Sequence, residues 1–504
     1  MNPPRGASSA LDGSAAAHTA APAPSREQVL ALFSAVMLPM FLAAIDQTLL
    51  ATASPRIGAE FGDLGDTSWI AIGYLLAATV MAPVYGRLGD RLGRRNTLLG
   101  AVGVFALGSL ACGLAHSMGV LIAARVLQGL GGGGLMVLSQ AQIGEIVPPL
   151  HRPRYQAYFA IVFTAASVGG PVIGGLVVHH FDWRWLFLAN LPLCALAAWR
   201  VSKLPPSTHL ALRGAPTDPW GLALFVISAV SALLWLSLAG HRFHWLSLPS
   251  ALLLAIAASG GVLLARQQRR HPSPLLPLAL LRLPAVRWIC GTVVCFAASL
   301  FALIFLLPIQ LQLAHGESAS GAGWQMLPLT LGLVVGSTVN SRIVRRTGLP
   351  TRTPPFGLAL SAIGLAVLAL APPLTALVVA AAALVGLGFG TVMPGAQLAT
   401  QTLAGRSRLG AAAALLSLTR SLGASLGTAA FGGLAFALLH MAPVGGEALP
   451  ATTVQGLEPQ ALLQAFHTVY GVLAAFVAFG AWIAWRVPPV PLDDSGGALA
   501  GAAE

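Results

Sequence analysis

The chain has 504 residues, of which 56% are hydrophobic and 9% charged, and its mean hydropathy is +0.78; this excludes a soluble globular protein of ordinary composition. The formal net charge is +12, yet the arginines sit in short segments between apolar runs rather than on one basic face, which argues against a nucleic-acid partner. Four cysteines, Cys112, Cys194, Cys290 and Cys295, fall within or beside apolar runs and imply neither a disulfide framework nor a metal site.

Residues 1–27, rich in Ala, Ser, Pro and Gly, read as a disordered tail. A window of about 19 residues then gives fourteen predicted spans: 28–50, 67–85, 96–115, 118–141, 156–179, 184–202, 217–238, 245–265, 286–313, 321–342, 354–372, 375–400, 408–438 and 464–486. The first is too long for a signal-peptide core and carries an acid, so it is expected to stay in the membrane. Two Pro-rich basic linkers isolate the seventh and eighth spans. The predicted plan is therefore all-α, with a six-helix bundle over 28–202, a linker with two extra transmembrane helices over 203–285, a second six-helix bundle over 286–486, and a tail over 487–504.

Charge supplies the orientation. With an even number of spans, 23 of the 28 basic residues fall in segments on one side, which the retention of positive loops identifies as cytoplasmic. Both termini are then cytoplasmic. Arginine almost wholly replaces lysine, and Ala, Gly and Leu abound, a bias that fits a high-GC bacterial source and hence a bacterial cytoplasmic (inner) membrane.

The densest basic segment is Gly86-Arg87-Leu88-Gly89-Asp90-Arg91-Leu92-Gly93-Arg94-Arg95, between the second and third spans. Ser341 to Gly348 occupies the matching place in the second half but has no acid. Arginines alone suffice for orientation. Asp90 does not, and so Gly86, Asp90, Arg91, Gly93 and Arg94 are candidates for a cytoplasmic latch that gates the conformational change.

Charges inside spans cost about 2.5–3.5 kcal/mol each on insertion scales and are functional candidates by default. Asp46 lies in the first span, Arg125 in the fourth and Arg420 in the thirteenth, with Glu145 near the inner end of the fourth. Burial disfavours an ionised carboxylate whereas a neighbouring cation favours it; Asp46 balanced against Arg125 is suited to taking up and releasing a proton. The competing explanation for Asp46 is a helix-packing acid that snorkels toward the outer surface, and for Arg125 a structural ion pair. Gln128, three residues beyond Arg125 on the same helix face, joins Arg420 and Glu145 as candidates for a substrate cavity. Gly131 to Gly134 lacks the following Lys-Ser or Lys-Thr of a phosphate loop. Like Gly170, Pro171 and Gly174 in the fifth span, it suits close helix packing.

With these residues identified, the chain resembles the major facilitator superfamily, and within it the fourteen-span drug:proton antiporters. Gly86 to Arg95 is similar to the superfamily motif between spans two and three, Ile45-Asp46-Gln47-Thr48 to the acidic first-span motif, Arg125 to Gly129 to the fourth-span motif, and Gly169 to Gly175 to the antiporter motif of the fifth. Trp183 to Phe187, Asn190-Leu191-Pro192 and Asp218-Pro219-Trp220-Gly221 look like further landmarks. One departure is Leu50-Ala51-Thr52-Ala53-Ser54-Pro55, where the family motif usually continues Asn-Val-Ala-Leu-Pro.

The resemblance implies proton-coupled multidrug efflux by alternating access, with small hydrophobic or cationic substrates, protons and the lipid bilayer as partners. The proton gradient takes the place of any cofactor, no metal is implied, and a periplasmic adaptor is left unassigned. Export of a lipid or endogenous metabolite would use the same motifs. A membrane-embedded lipid-modifying enzyme is disfavoured because no polar catalytic cluster appears at either surface.

Overall fold

The computed structural model describes residues 26–61, 67–205, 218–238, 243–244, 246–271, 278–317, 319–370, 374–405, 408–438 and 459–492. Most of both predicted tails and the middle of the first linker lie outside them. Fifteen helices of thirteen or more residues carry the chain: α1 Arg26–Phe61, α2 Thr67–Leu92, α3 Arg94–Gly113, α4 Met118–Ile146, α5 Arg152–His180, α6 Asn190–Ser202, α7 Pro219–Leu238, α8 Leu248–Arg270, α9 Pro284–His315, α10 Leu327–Thr347, α11 Thr353–Leu370, α12 Thr375–Phe389, α13 Val392–Ala404, α14 Leu409–Leu438 and α15 Pro459–Trp485. No strand accompanies them among the described residues.

Among those residues, thirteen helical segments are long and apolar enough to cross a membrane. The fifth predicted span is not one of them; its place is taken by α5, a continuous helix of 29 residues. With α5 in the place of the fifth, a helix or helix pair lies at each of the fourteen predicted positions, thirteen of them meeting the length and hydropathy expected of a membrane span among the described residues. Two further differences follow from packing that hydropathy does not register. Helix α1 continues to Phe61, past the expected end at 50, because Leu49, Ala53 and Ile57 extend one buried stripe at helical spacing. The charged segment expected as a loop is mostly helix: α2 runs through Arg91 to Leu92, and a single residue, Gly93, with φ of 92°, turns the chain into α3. A side chain there would be strained. Gly348, with φ of 68°, ends α10 at the equivalent turn into α11.

Helix pairing repeats along the chain. In the first half α1 packs on α5, α2 and α3 on α4, α3 on α6, and α1 on α6; in the second, α9 packs on α14, α10 and α11 on α12, α11 on α15, and α9 on α15. Glycines permit the closest approaches at matching places. A Cβ on Gly129 or Gly133 would collide with α2 and one on Gly131 with α3; likewise Gly386 and Gly390 meet α10 while Gly388 meets α11. This is the work of the glycine run in α4, since small residues let helix backbones approach closely in a bilayer.

The halves meet along two seams, α2 against α14 and α5 against α10. Thr79 Oγ1 lies 3.2 Å from Ser421 Oγ across the first, and Thr164 Oγ1 donates to the Thr330 carbonyl across the second at 3.5 Å. Helices α7 and α8 pack on each other, and α7 packs on both helices of the first seam, where Phe225 of α7 and Leu264 of α8 form one cluster with Val80 of α2, and Leu418 of α14 packs against it.

Apolar packing differs between the halves. The second is dominated by one large cluster running from Phe296 through Leu365 and Phe389 to Val477, with smaller ones around Leu416, Leu415 and Val344. The first holds two, one from Ala35 to Ala43 with Leu98, Phe105 and Leu138, the other from Ala44 to Ile57 with Ile70, Leu121 and Phe187. The polar groups described next lie where those two clusters meet.

Candidate functional site

Asp46 sits at the junction, on α1 between the two apolar clusters, and is 2% exposed. Arg125, 1% exposed, crosses from α4 and donates from Nη1 to Asp46 Oδ2 at 2.5 Å. The same nitrogen lies 2.5 Å from Gln128 Oε1, and Nε donates to the Ile70 carbonyl at 3.1 Å. Gln128 Nε2 donates to Asp46 Oδ1 at 2.9 Å and to Ser109 Oγ at 2.8 Å. Asn190 Nδ2 donates to Asp46 Oδ1 at 3.1 Å. The network therefore joins five helices, α1, α2, α3, α4 and α6, with α4 and α6 bonding the carboxylate of α1 directly. The guanidinium also stacks over the Tyr74 ring, 4.4 Å from its centroid, with Phe187 at 5.8 Å. A buried carboxylate is tolerated only when paired and hydrogen-bonded, and here both oxygens are occupied.

A second network closes the arginine-rich end. Arg94, 2% exposed, donates from Nη2 to Asp90 Oδ1 at 2.7 Å and from Nη1 to Glu145 Oε2 at 2.8 Å, joining α2, α3 and α4. The same Asp90 reaches the other half. Its Oδ1 accepts from Gly410 N and its Oδ2 from Ala411 N, each at 3.2 Å, so it satisfies free amides at the start of α14 and meets the positive end of that helix's dipole. Gly86, one turn earlier, sits against Gly410 so closely that a Cβ would lie 2.5 Å from its carbonyl oxygen. Gln401 Nε2 adds a bond to the Gln140 carbonyl at 3.4 Å. Gly93 contributes the turn, and Arg91 lies half-buried outside this network.

The sequence-predicted residues thus divide differently from expectation. Asp46 and Arg125 are brought together. Gln128, expected to line a cavity, is instead wholly buried among Asp46, Arg125 and Ser109, because its position three residues from Arg125 puts it on the inward face of α4. Glu145, also expected at a cavity, is held by Arg94 in the seal, its helix having continued past the predicted end at 141 to Ile146. Arg420 stands apart on α14, partly exposed. Gly170 is buried against Thr48 of α1, whose hydroxyl donates to the Ala166 carbonyl at 2.9 Å; Gly174 is buried on the same helix, and Pro171 lies in it. Sequence reasoning missed Asn190, Ser109 and Tyr74 as partners of the pair. Asn190 alone carried a signal, as a polar residue at the start of an apolar helix and within the Asn190-Leu191-Pro192 landmark.

At the opposite end an exposed clamp ties α1 to the turn before α6. Trp183 Nε1 donates to Glu60 Oε2 at 2.6 Å, and Arg184 Nη2 to Glu60 Oε1 at 2.9 Å. These two bonds hold the Glu60 carboxyl below its usual range. The clamp therefore contributes stability that is fully present above the unfolded value near 4.5 and is lost as pH falls through the lower folded value. Unfolding measured at pH 6 and pH 3.5 is expected to show an acid-side loss that Glu60→Gln reduces, by less than about 1 kcal/mol for so exposed a pair.

Membrane-length helices in two halves with the same internal pairing, and charges buried between them, define a polytopic transporter fold. Comparison with known proteins gives the family: a profile of the Major Facilitator Superfamily matches residues 36–428 and 288–501, and the chain belongs to it. An uncharacterized MFS-type transporter of Mycobacterium tuberculosis is 35% identical over 413 residues, covering 80% of this chain. The chain spans 59% of that relative's length. The multidrug transporter protein MdtP of Bacillus subtilis is 30% identical over 409 residues, covering 80% of this chain and 74% of the relative. Among solved structures, the human organic anion transporter MFSD10 aligns with a TM-score of 0.67 at 14% identity, over 92% of this chain and all of that one. The proton:xylose symporter XylE aligns at 0.64 and 14%, over 92% and 97%. These relatives are transporters rather than enzymes, and the structural likeness is one of fold.

Proposed function

We propose that the chain is a proton-coupled exporter of hydrophobic compounds that works by alternating access between two six-helix halves, with α7 and α8 inserted between them. It lies in the bacterial cytoplasmic membrane with both termini and the arginine-rich end inside. The observation that carries this reading is the Asp46 carboxylate, buried at the junction of two apolar clusters and bonded to Arg125, Gln128 and Asn190 from α4 and α6. The resemblance to multidrug transporters supports the export assignment.

Protonating Asp46 removes the counter-charge of Arg125 and turns one acceptor of the Gln128 and Asn190 amides into a donor. The arrangement of α1, α4 and α6 that is best when Asp46 is charged is therefore not best when it is neutral. The proton acts only through this difference between states. At the arginine-rich end, Asp90 on the start of α14 holds the halves together in a state closed to the cytoplasm, and substrate binding favours one state against the other.

The test is dye efflux from vesicles under an imposed proton gradient. Asp46→Asn keeps the size and an acceptor oxygen but cannot be protonated. It is expected to abolish gradient-driven accumulation while leaving downhill exchange of the dye measurable. Normal gradient-driven transport by this variant would remove Asp46 from the coupling role.

A further inference from the structure

The buried charges at the two networks are neutralised, and one charge is not. Among the described residues the carboxylates of these networks, Asp46, Asp90 and Glu145, are each engaged by arginine or by the α14 amides. Arg420, eleven residues into a membrane-length helix, has no acid and no hydrogen-bond partner among the described residues.

Helix geometry locates it. At 100° per residue, Leu409, Ala413 and Arg420 lie on one stripe of α14. The first two touch α4 of the other half: Leu409 sits against Gly144, and Ala413 packs with Val137. The matching stripe of α4 is Gly144, Val137, Leu130, Val126 and Ala123. The helices run antiparallel, so Arg420 and Leu130 both lie seven residues, about 10 Å, beyond the Ala413–Val137 contact. There Arg420 and Leu130 are partly exposed, and Val126, which also lies against Gly73 of α2, is 38% exposed. Arg420 does not face lipid. Leu426, which is 45% exposed, lies about 120° around the helix, and Gly423 and Gly427 press on Val294 and Ala298 of α9. Helix spacing thus sets the partly exposed Leu130 and Val126 of α4 opposite the unpaired cation of α14 above the seal, the two sides of the inferred cleft.

We infer that this cleft binds amphipathic organic anions, with Arg420 taking the carboxylate or sulfonate and the Val126–Leu130 wall taking the apolar body. The inference rests on the export reading above and narrows its substrate class, since an unpaired guanidinium in a cleft repels the lipophilic cations that the sequence motifs suggest. Arginine suits the task because it stays charged and offers a planar fork of donors to an oxyanion.

The purified full-length chain in nanodiscs, with radiolabelled taurocholate as anion and tetraphenylphosphonium as cation, tests this by equilibrium binding. Taurocholate is expected to bind in preference to the cation. Arg420→Gln should weaken that binding about tenfold or more, as loss of a hydrogen bond to a charged group does, and Arg420→Lys should restore part of it. Unfolding midpoints of the variants check that they are folded. Preference for tetraphenylphosphonium, or taurocholate binding unchanged in folded Arg420→Gln, overturns the anion assignment. Vesicle transport separates this from the parent reading: binding without gradient-driven movement defeats proton-coupled export and leaves the anion site standing, whereas gradient-driven movement of the cation alone does the reverse.

Discussion

Replacing Arg125 with methionine is expected to cost about 3–5 kcal/mol of stability, because it leaves the Asp46 carboxylate buried without its counter-charge. The surroundings make relief difficult: Asp46 is 2% exposed and the pair is ringed by apolar clusters on both sides. Truncation also removes the second donor to the Ile70 carbonyl and empties the space over the Tyr74 ring. Denaturant unfolding in detergent micelles measures the loss. The double variant Asp46→Leu with Arg125→Met separates packing from chemistry. Replacing both members of a buried pair with apolar groups is often close to neutral, so the double variant is expected to recover much of the stability that the single one loses. Some deficit remains, since Gln128 and Asn190 lose their shared acceptor. Gradient-driven transport should stay absent in the double variant. Transport restored along with stability would reduce the pair to a structural role.

The second large effect is expected at Gly86. A side chain there has nowhere to go, because besides the carbonyl oxygen at 2.5 Å the Gly410 carbonyl carbon and the Ala414 side chain lie 2.9 and 3.0 Å from where its Cβ would be. Gly86→Leu should therefore hold the halves apart at the arginine-rich end and pull Asp90 away from the Gly410 and Ala411 amides. Overpacking of this kind costs about 1–3 kcal/mol, enough to change a two-state ratio by about five- to 150-fold. Spin labels at Arg154 and Arg346, both exposed and on opposite halves, report the separation. The expected outcome is a longer distance distribution in Gly86→Leu. Asp90→Asn, which removes only charge, should shift it in the same direction by less. Unchanged distances in both variants would mean that this contact does not set the balance between states.

The architecture was legible in the sequence because a bilayer leaves few options. Backbone polar groups must be satisfied within each segment, so apolar runs of sufficient length become helices, and the basic residues between them mark one side. The pairing of Asp46 with Arg125 was legible for a similar reason: two opposite charges in apolar runs have little choice but to meet. What the sequence concealed was depth and angle. Gln128 and Glu145 are polar residues near a helix centre and a helix end, and nothing in composition separates a side chain facing its own bundle from one facing the other half. That depends on which face of α4 the glycines press against α2 and α3, a three-dimensional outcome. The partners Asn190 and Ser109 were hidden for the same reason, as was the role of Gly410 and Ala411, which act through backbone amides that carry no side-chain signature.

The inserted pair α7 and α8 gives the molecule unequal flanks. The pair's main contact is with the α2–α14 seam, where Phe225 of α7 and Leu264 of α8 cluster with Val80, and neither helix has a substantial contact with α5 or α10 among the described residues. A rocking motion symmetrical in its axis is thereby loaded on one side: relative movement of α2 and α14 must drag α7 along or slide both helices past Phe225, while the other flank carries no such passenger. In the proposed rocking cycle that drag would fall on the seam that also contains Gly86, Asp90 and Gly410, with the inserted helices as ballast on the flank of the proposed latch.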